Sequence, residues 1–214
     1  EETIGLMIML MRNLPWVFDA VQRGRWQKET FYGHELSGKT LGIIGFGRLG
    51  SMVAHFGRAF GMEVVACDPN VSARAMRRGG VEKVSMDNVF RKADVVSNHV
   101  LHTAETTNLV KRRHFKLMKP TAYYINTSRG ELNDEKALLE ALEKGWIAGA
   151  ALDVLASEDP KGGHVKSHPL VRYARRHRNL IIVPHLGGAT FESMQKTEDF
   201  IAEKVLREIK KFGE

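Results

Sequence analysis

Gly45, Gly47 and Gly50 lie between the apolar run Leu41-Gly42-Ile43-Ile44 and a helical pattern that starts at Ser51, and Asp68 follows eighteen residues after the last of them. Strand, glycine turn and helix, in that order, are what a dinucleotide-binding loop requires. Gly45 makes the tight turn, Gly47 lets the backbone approach a pyrophosphate, and Gly50 lets the helix pack on the strand. The phosphates then meet a helix N-terminus, where unpaired N–H groups and the dipole favour anions. Glycines also punctuate ordinary turns. Asp68 raises the specificity of the pattern because it comes directly after the apolar strand Met62 to Cys67. A carboxylate there accepts from both ribose hydroxyls and repels a 2′-phosphate, which favours NAD over NADP. The competing reading is structural, with Asp68 opening the turn Asp68-Pro69-Asn70.

Ligands of open parallel sheets bind outside the carboxyl ends of the strands, so polar residues that directly follow apolar strands are the next candidates. They fall at four places: Asn98 and His99; Asn126-Thr127-Ser128-Arg129-Gly130; Asp153; and Pro184-His185 ahead of Gly187-Gly188. Arg129 offers a planar fork suited to a carboxylate, with a structural ion pair as its alternative. His185 is the candidate for proton transfer near neutral pH. Glu158, in a long loop, would hold the orientation of His185 if the loop folded over the site, and is otherwise an exposed acid. His99 and His102 are three apart, but no cysteine or carboxylate cluster completes a coordination shell, so no metal is expected. Neither a nucleophile elbow nor a lysine-bearing phosphate loop occurs.

The elements that must position these residues alternate. From Thr40 onward strands and helices follow one another, which calls for a doubly wound α/β fold of the Rossmann type, a parallel sheet with helices on both faces. Expected strands are Met62 to Cys67, Asp94 to Ser97, Ala122 to Ile125, Ile147 to Leu152 and Leu180 to Val183. Ser85 is expected to cap one helix, and Asn133-Asp134-Glu135 to start another that buries Leu138, Leu139 and Leu142. Before the sheet, residues 2–13 are apolar on nearly every face and so must be buried on every face, against a second subunit or domain as well as the chain's own sheet. Pro15 is expected to end that helix, and Trp16 to Leu36 to form an irregular arm. Ser157 to Arg178 reads as a long polar loop, and apolar residues from Phe191 to Phe212 recur on one face of a long helix.

With 43% hydrophobic and 27% charged residues the chain reads as globular rather than disordered. Its net charge of +7 raises nucleic acid as a partner. The basic residues, however, fall in scattered groups (Arg74, Arg77 and Arg78; Lys111, Arg112 and Arg113; Arg172, Arg175, Arg176 and Arg178) that read as solvated faces. Cys67 is the only cysteine, so no disulfide framework exists and a reducing compartment, the cytoplasm, is expected. The apolar run Leu6 to Met11 is far short of the ~20 residues a membrane helix needs, so no membrane partner is expected either.

Taken together and in order, the glycine loop with Asp68, the run Asn126 to Gly130, Ala150-Ala151-Leu152-Asp153-Val154 with Glu158, and Pro184-His185-Leu186-Gly187-Gly188-Ala189-Thr190 resemble the D-isomer-specific 2-hydroxyacid dehydrogenases. The resemblance runs through essentially the whole chain. It implies that Arg129 binds the substrate carboxylate and carbonyl, that His185 is the acid/base, that Glu158 pairs with it, and that Asp153 lies near the nicotinamide carboxamide. It puts Arg48 and Leu49 at the pyrophosphate and adds Gly45, Gly47, Gly50, Asp68, His99, Thr127, Ser128, Gly187 and Gly188 to the cofactor site. The implied reaction is hydride transfer between nicotinamide C4 and C2 of a 2-hydroxy or 2-keto acid. A homodimer through the cofactor domain is implied as well. Within the family, Gly187-Gly188-Ala189-Thr190 is similar to phosphoglycerate dehydrogenases. The alternative is a nucleotide-sensing regulator or corepressor of the same fold.

The chain also departs from the family pattern. Leu101 stands where proline is usual, Asp159 separates Glu158 from Pro160, and the loop to His185 is longer and more basic. The opening segment from which the family builds most of its substrate domain has no counterpart. Residues 1–13 resemble the interdomain helix, 14–39 the arm, 40–189 the NAD-binding domain, and 190–214 a helix returning toward the substrate domain. The expectation is therefore an isolated cofactor domain, a piece of a longer enzyme. Such a piece binds NADH but turns over 2-keto acids poorly, because the second domain closes the crevice and excludes water.

Overall fold

The computed structural model describes the chain apart from Gln27, Pro160, Gly213 and Glu214, and the side chains apart from those of residues 28 and 210–212 as well. The departure at Pro160 and the side chain of Phe212 thus lie outside the described residues. Seven strands form one parallel sheet: β1 (Thr40–Ile44), β2 (Glu63–Cys67), β3 (Glu82–Lys83), β4 (Val95–Asn98), β5 (Tyr123–Asn126), β6 (Gly149–Leu152) and β7 (Leu180–Ile182), in spatial order 3-2-1-4-5-6-7. The order reverses between β1 and β4, which creates the crevice where such sheets bind ligands. The register brings the strand ends level. Ile44 pairs with Cys67 on one side and Asn98 on the other, Asn98 with Asn126, Asn126 with Leu152, and Leu152 with Ile182. The residues just past these ends, Gly45, Asp68, His99, Thr127 and Asp153, therefore emerge along one edge.

Both faces of the sheet are covered. On one lie α1 (Glu2–Met11), α3 (Arg48–Ala59) and α4 (Ala73–Arg78), packed through Met7, Leu10, Val53 and Met76 onto Leu41, Ile43, Ile125 and Ala151. On the other lie α5 (Met86–Lys92), α6 (Arg112–Phe115), α7 (Glu135–Glu143) and α8 (Pro169–Ala174), whose Phe90, Phe115, Leu138 and Tyr173 join Val96, Tyr124, Ala150 and Leu152. Neighbouring residues such as Tyr124 and Ile125 thus feed opposite cores, the period-2 alternation of a strand buried on both sides. Ser72 and Ser85 cap α4 and α5, accepting from the amides of Ala75 and Asn88.

Several local expectations change. Pro15 starts a helix instead of ending one: Asn13, in the left-handed region at φ 57, breaks the chain after α1, and α2 (Leu14–Gln22) follows with Pro15 in its first turn, where a missing N–H costs nothing. The arm is therefore partly helical. Apolar α1 is covered mostly by β5, β6, β7, α2 and α3 within the chain, and of its large apolar side chains Ile8 and Met9 stay half-buried. The polar stretch 157–178 contains α8, which is hard to read because only Leu170 and Tyr173 are buried. Asp134, not Asn133, caps α7 through the Ala137 amide at 3.1 Å. The last helix, α9 (Phe191–Phe212), leaves Phe191 95% exposed, with Phe200, Ile201, Val205 and Ile209 also open to solvent.

Candidate functional site

Gly45 turns the chain at φ +85, and a side chain there would meet the His99 carbonyl oxygen at 2.8 Å. Gly50 packs directly on the Gly45 carbonyl and is buried, so its role is helix–strand contact and it does not face a ligand. Beside Gly47, by contrast, the space a Cβ would take is open, and no side chain caps the first-turn amides of α3. Arg48 and Leu49 are exposed at that helix start. Gly45, Gly47, Asp68 and His99 line one crevice of ≈ 810 Å³ with Cys67, Asn70 and Val100. Each Asp68 oxygen accepts one backbone amide, from Phe46 and Asn70, both at 2.8 Å. Both oxygens keep a second lone pair for a ribose hydroxyl. Burial pushes the Cys67 thiol up to about 11, so no thiolate faces the crevice at neutral pH. Burial likewise pushes His99 down to about 4, and its Nε2 lies 2.9 Å from Ser97 Oγ.

Further along the same edge, the segment after β5 is locked by buried amides. Asn126 Nδ2 donates to Asn133 Oδ1 at 2.6 Å and to the Arg129 carbonyl at 2.9 Å, while its Oδ1 accepts from the Ser128 amide at 3.0 Å. Ser128 Oγ donates to the Val100 carbonyl at 2.6 Å, and Thr127 Oγ1 lies 2.8 Å from Thr3 Oγ1 on α1. Arg129 spends one donor on the Ser128 carbonyl at 2.6 Å. Among the described residues no carboxylate lies within 4.0 Å of it, although its charge is among those that lower the Glu131 carboxyl, after the Ser157 amide.

His185 and Glu158, 27 residues apart, meet: Nδ1 lies 2.7 Å from Glu158 Oε2. The other carboxylate oxygen accepts the Leu155 amide at 2.8 Å. His185 takes φ 56, a strained value for a side-chain-bearing residue. Its amide donates to the Asp153 carbonyl at 2.8 Å. The Asp153 carboxylate, only 1% exposed, is capped by the amides of Leu186 and Gly187, the latter at 2.9 Å. Gly187 is thus tied to Asp153, while Gly188 stands exposed with open space around it. A cavity of ≈ 510 Å³ adjoins the pair, walled by Leu155, Val165, Val171, Ile182 and Pro184.

The pattern of the D-isomer specific 2-hydroxyacid dehydrogenase NAD-binding domain matches residues 4–187. The chain belongs to this family. It is 39% identical over 206 residues to the D-3-phosphoglycerate dehydrogenase of Methanocaldococcus jannaschii, covering 96% of this chain but 38% of that protein. To the glyoxylate reductase of Thermococcus litoralis it is 35% identical, covering 94% of this chain and 60% of the relative. The D-lactate dehydrogenase of Aquifex aeolicus, solved in complex with NAD and lactic acid, superposes with a TM-score of 0.87 at 30% identity, over 98% of this chain and 65% of that one. The chain spans between 38% and 65% of the length of these three relatives.

In this 2-hydroxyacid dehydrogenase NAD-binding domain, some residues at the strand-end edge carry no motif signal. Tyr124 links the Asn126–Asn133 network at 3.4 Å to Asn98, one of the polar residues expected at the strand ends, and Glu131 and Glu135 each accept an amide from the loop that bears Glu158. Glu2 lies near Asp153, and burial followed by that neighbour's charge raises its carboxyl above the usual range. Periodicity explains each of these as a core or helix-start residue, so only the tertiary contacts assign them to the site. Lys111, Arg112, Arg113 and the arginines at 74, 77, 78, 172, 175, 176 and 178 are all exposed.

Proposed function

We propose that this chain is the cofactor half of an NAD-dependent D-2-hydroxyacid dehydrogenase, with the glycine loop, Asp68 and His99 holding NAD(H) and with Arg129, His185 and Glu158 acting on the substrate. One observation carries the reading: the 2.7 Å pair of His185 and Glu158 stands on the same sheet edge as a glycine loop with open space beside Gly47. The residues fit the cofactor. Uncapped amides of α3 suit a pyrophosphate, and the free lone pairs of Asp68 suit a ribose diol while opposing a 2′-phosphate. NAD(H), when bound, supplies or accepts the hydride.

The chain's own groups do the rest. Glu158 accepts from Nδ1 and leaves Nε2 of His185 free to give a proton to a keto oxygen or to take one from a hydroxyl. Arg129, unpaired, offers its fork to a carboxylate and thereby fixes which face of C2 is presented. Asp153 orders the turn 186–187 through two amides, which keeps His185 in its strained place. The exposed apolar row on α9 supports an arrangement in which this helix returns toward a substrate domain, and we assign residues 1–13 to the link, 14–39 to the arm and 40–189 to cofactor binding. Assembly as a homodimer and a cytoplasmic location belong to the same proposal.

Titrating the purified chain with NADH while following nicotinamide fluorescence is the test. Saturable binding, at least ~10-fold tighter than NADPH, is expected, a difference of about 1.4 kcal/mol. Equal affinity for the two would remove Asp68 from its role, and no binding of either would overturn the reading. A panel of 2-keto acids on a longer protein containing both domains then separates dehydrogenase from nucleotide sensor: turnover is expected, and NADH binding without turnover would favour the sensor.

A further inference from the structure

Three successive amides at the tip of the loop after β6 are each accepted by a different glutamate. Leu155 N donates to Glu158 Oε1 at 2.8 Å, Ala156 N to Glu135 Oε1 at 2.8 Å, and Ser157 N to Glu131 Oε1 at 3.1 Å. Ser157 takes φ 57, so this short run turns sharply before Glu158. The middle acceptor is the most enclosed of the arrangement. Glu135 is 18% exposed, and its second oxygen lies 3.1 Å from Nε2 of His168, itself 11% exposed. His168 stands at the start of α8, and its Nδ1 is buried without a partner among the described residues. Burial raises the Glu135 carboxyl, so its ionised form depends on the Ala156 amide and on His168 for compensation. The other titratable groups facing this pair are Glu131 from the turn after Arg129 and His164, whose ring meets that of His168 edge-on at 6.4 Å.

We infer that Glu135, braced by His168, is a positioning residue that fixes the loop after β6 so that Glu158 reaches Nδ1 of His185. The inference rests on reading His185 as the proton-transfer group. Glu135 acts from behind the loop and touches no reacting atom. Its leverage is geometric: Glu158 is itself tied to Leu155, so displacing the Ala156 amide displaces the carboxylate that orients His185. A catalytic pair tolerates about 0.5 Å of such movement before its geometry is lost. The Leu155–Ala156 peptide also packs directly on Gly130, next to Arg129, so the same clamp holds the two substrate-facing loops together.

The test is the tautomer of His185, read by ¹⁵N NMR on the 214-residue chain at a pH where the ring is neutral. With Glu158 in place the proton sits on Nδ1. In Glu135→Ala the Nδ1–H form is expected to become the minor one, and in Glu135→Gln, whose amide oxygen still accepts from Ala156 and whose NH₂ still reaches His168, it is expected to persist. Lys136→Ala, on the exposed side of the same helix, should change nothing. If Glu135→Ala does not fold, His168→Gln carries the same test with Glu135 still present, and a partial shift toward Nε2–H is expected. Wild-type protein without the Nδ1–H form would overturn the reading of His185 itself. Wild type with that form, and a folded Glu135→Ala or His168→Gln that keeps it fully, would overturn the role of Glu135 alone.

Discussion

The loop after β1 leaves the first-turn amides of α3 without a side-chain cap and the space beside Gly47 empty, whereas the loop after β6 has its amides at 155, 156 and 157 accepted by Glu158, Glu135 and Glu131. The first is prepared to receive hydrogen bonds from outside the chain; the second has already satisfied its own. A nucleotide can therefore bind where the backbone is unsatisfied, while chemistry needs a side chain whose supports leave no slack. The two loops should respond oppositely to mutation, and that separation can be broken.

The largest expected effect is on the β6 side. Replacing His185 by glutamine in a protein containing both domains should lower kcat by about 10²–10⁴-fold, the usual contribution of a positioned acid/base. NADH affinity, measured on the 214-residue chain, should stay within a factor of two or so, because no binding group on the β1 side is touched. Loss of NADH binding comparable to the loss of turnover would merge the two loops into one functional unit.

Next comes the reverse experiment. Gly47→Val places a branched side chain where nothing lies within 4 Å, so the fold has room for it but a pyrophosphate would not. NADH binding should weaken on the order of 100-fold, about 2.8 kcal/mol, with the melting temperature unchanged. An unaltered affinity would show that the open space beside Gly47 is not where the phosphates lie. Gly130→Ala is expected to act differently, since its methyl group would collide with the Leu155–Ala156 peptide. Overpacking of this kind costs about 1–3 kcal/mol, which a denaturant melt would register. NADH affinity should survive, because the collision falls on the β6 side.

The contrast also explains what could be read in advance. A loop defined by missing side chains announces itself through glycines at fixed spacing and an aspartate after the next strand, all local in sequence. The alternation of strands and helices, Asp68 and the polar strand ends were legible for that reason. A loop held by carboxylates distant in sequence is silent. Glu135 reads as a helix-start anion and Asn133 as its neighbour, yet the first holds Ala156, 21 residues away, and the second is buried against Asn126. The same holds for α8, whose two buried side chains are too few for a periodic signal, and for α2, where Pro15 is equally compatible with the end of one helix and the start of the next. Family resemblance supplied the meeting of Glu158 with His185; spacing alone could not.

The smallest effect concerns stability and ties the crevice to pH. His99, beside the glycine loop, accepts a proton in the folded protein only at about 4, because burial penalises its charged form, while the unfolded chain takes it up near 6.5. Between those values the unfolded state binds more protons, so this residue's contribution is present above pH 6.5 and is lost as pH falls toward 4. The loss amounts to something on the order of 3 kcal/mol if the ring stays dry. Other groups titrate in the same window, among them His114, which burial also lowers, and Glu135, which it raises, so the informative quantity is a difference. Urea melts of wild type and His99→Asn between pH 7 and 4 should show a steeper acid-side decline in the wild type. Parallel curves would mean that water reaches the ring, and hence that the crevice beside Gly45 is wetter than its enclosure by Val100 and Cys67 implies.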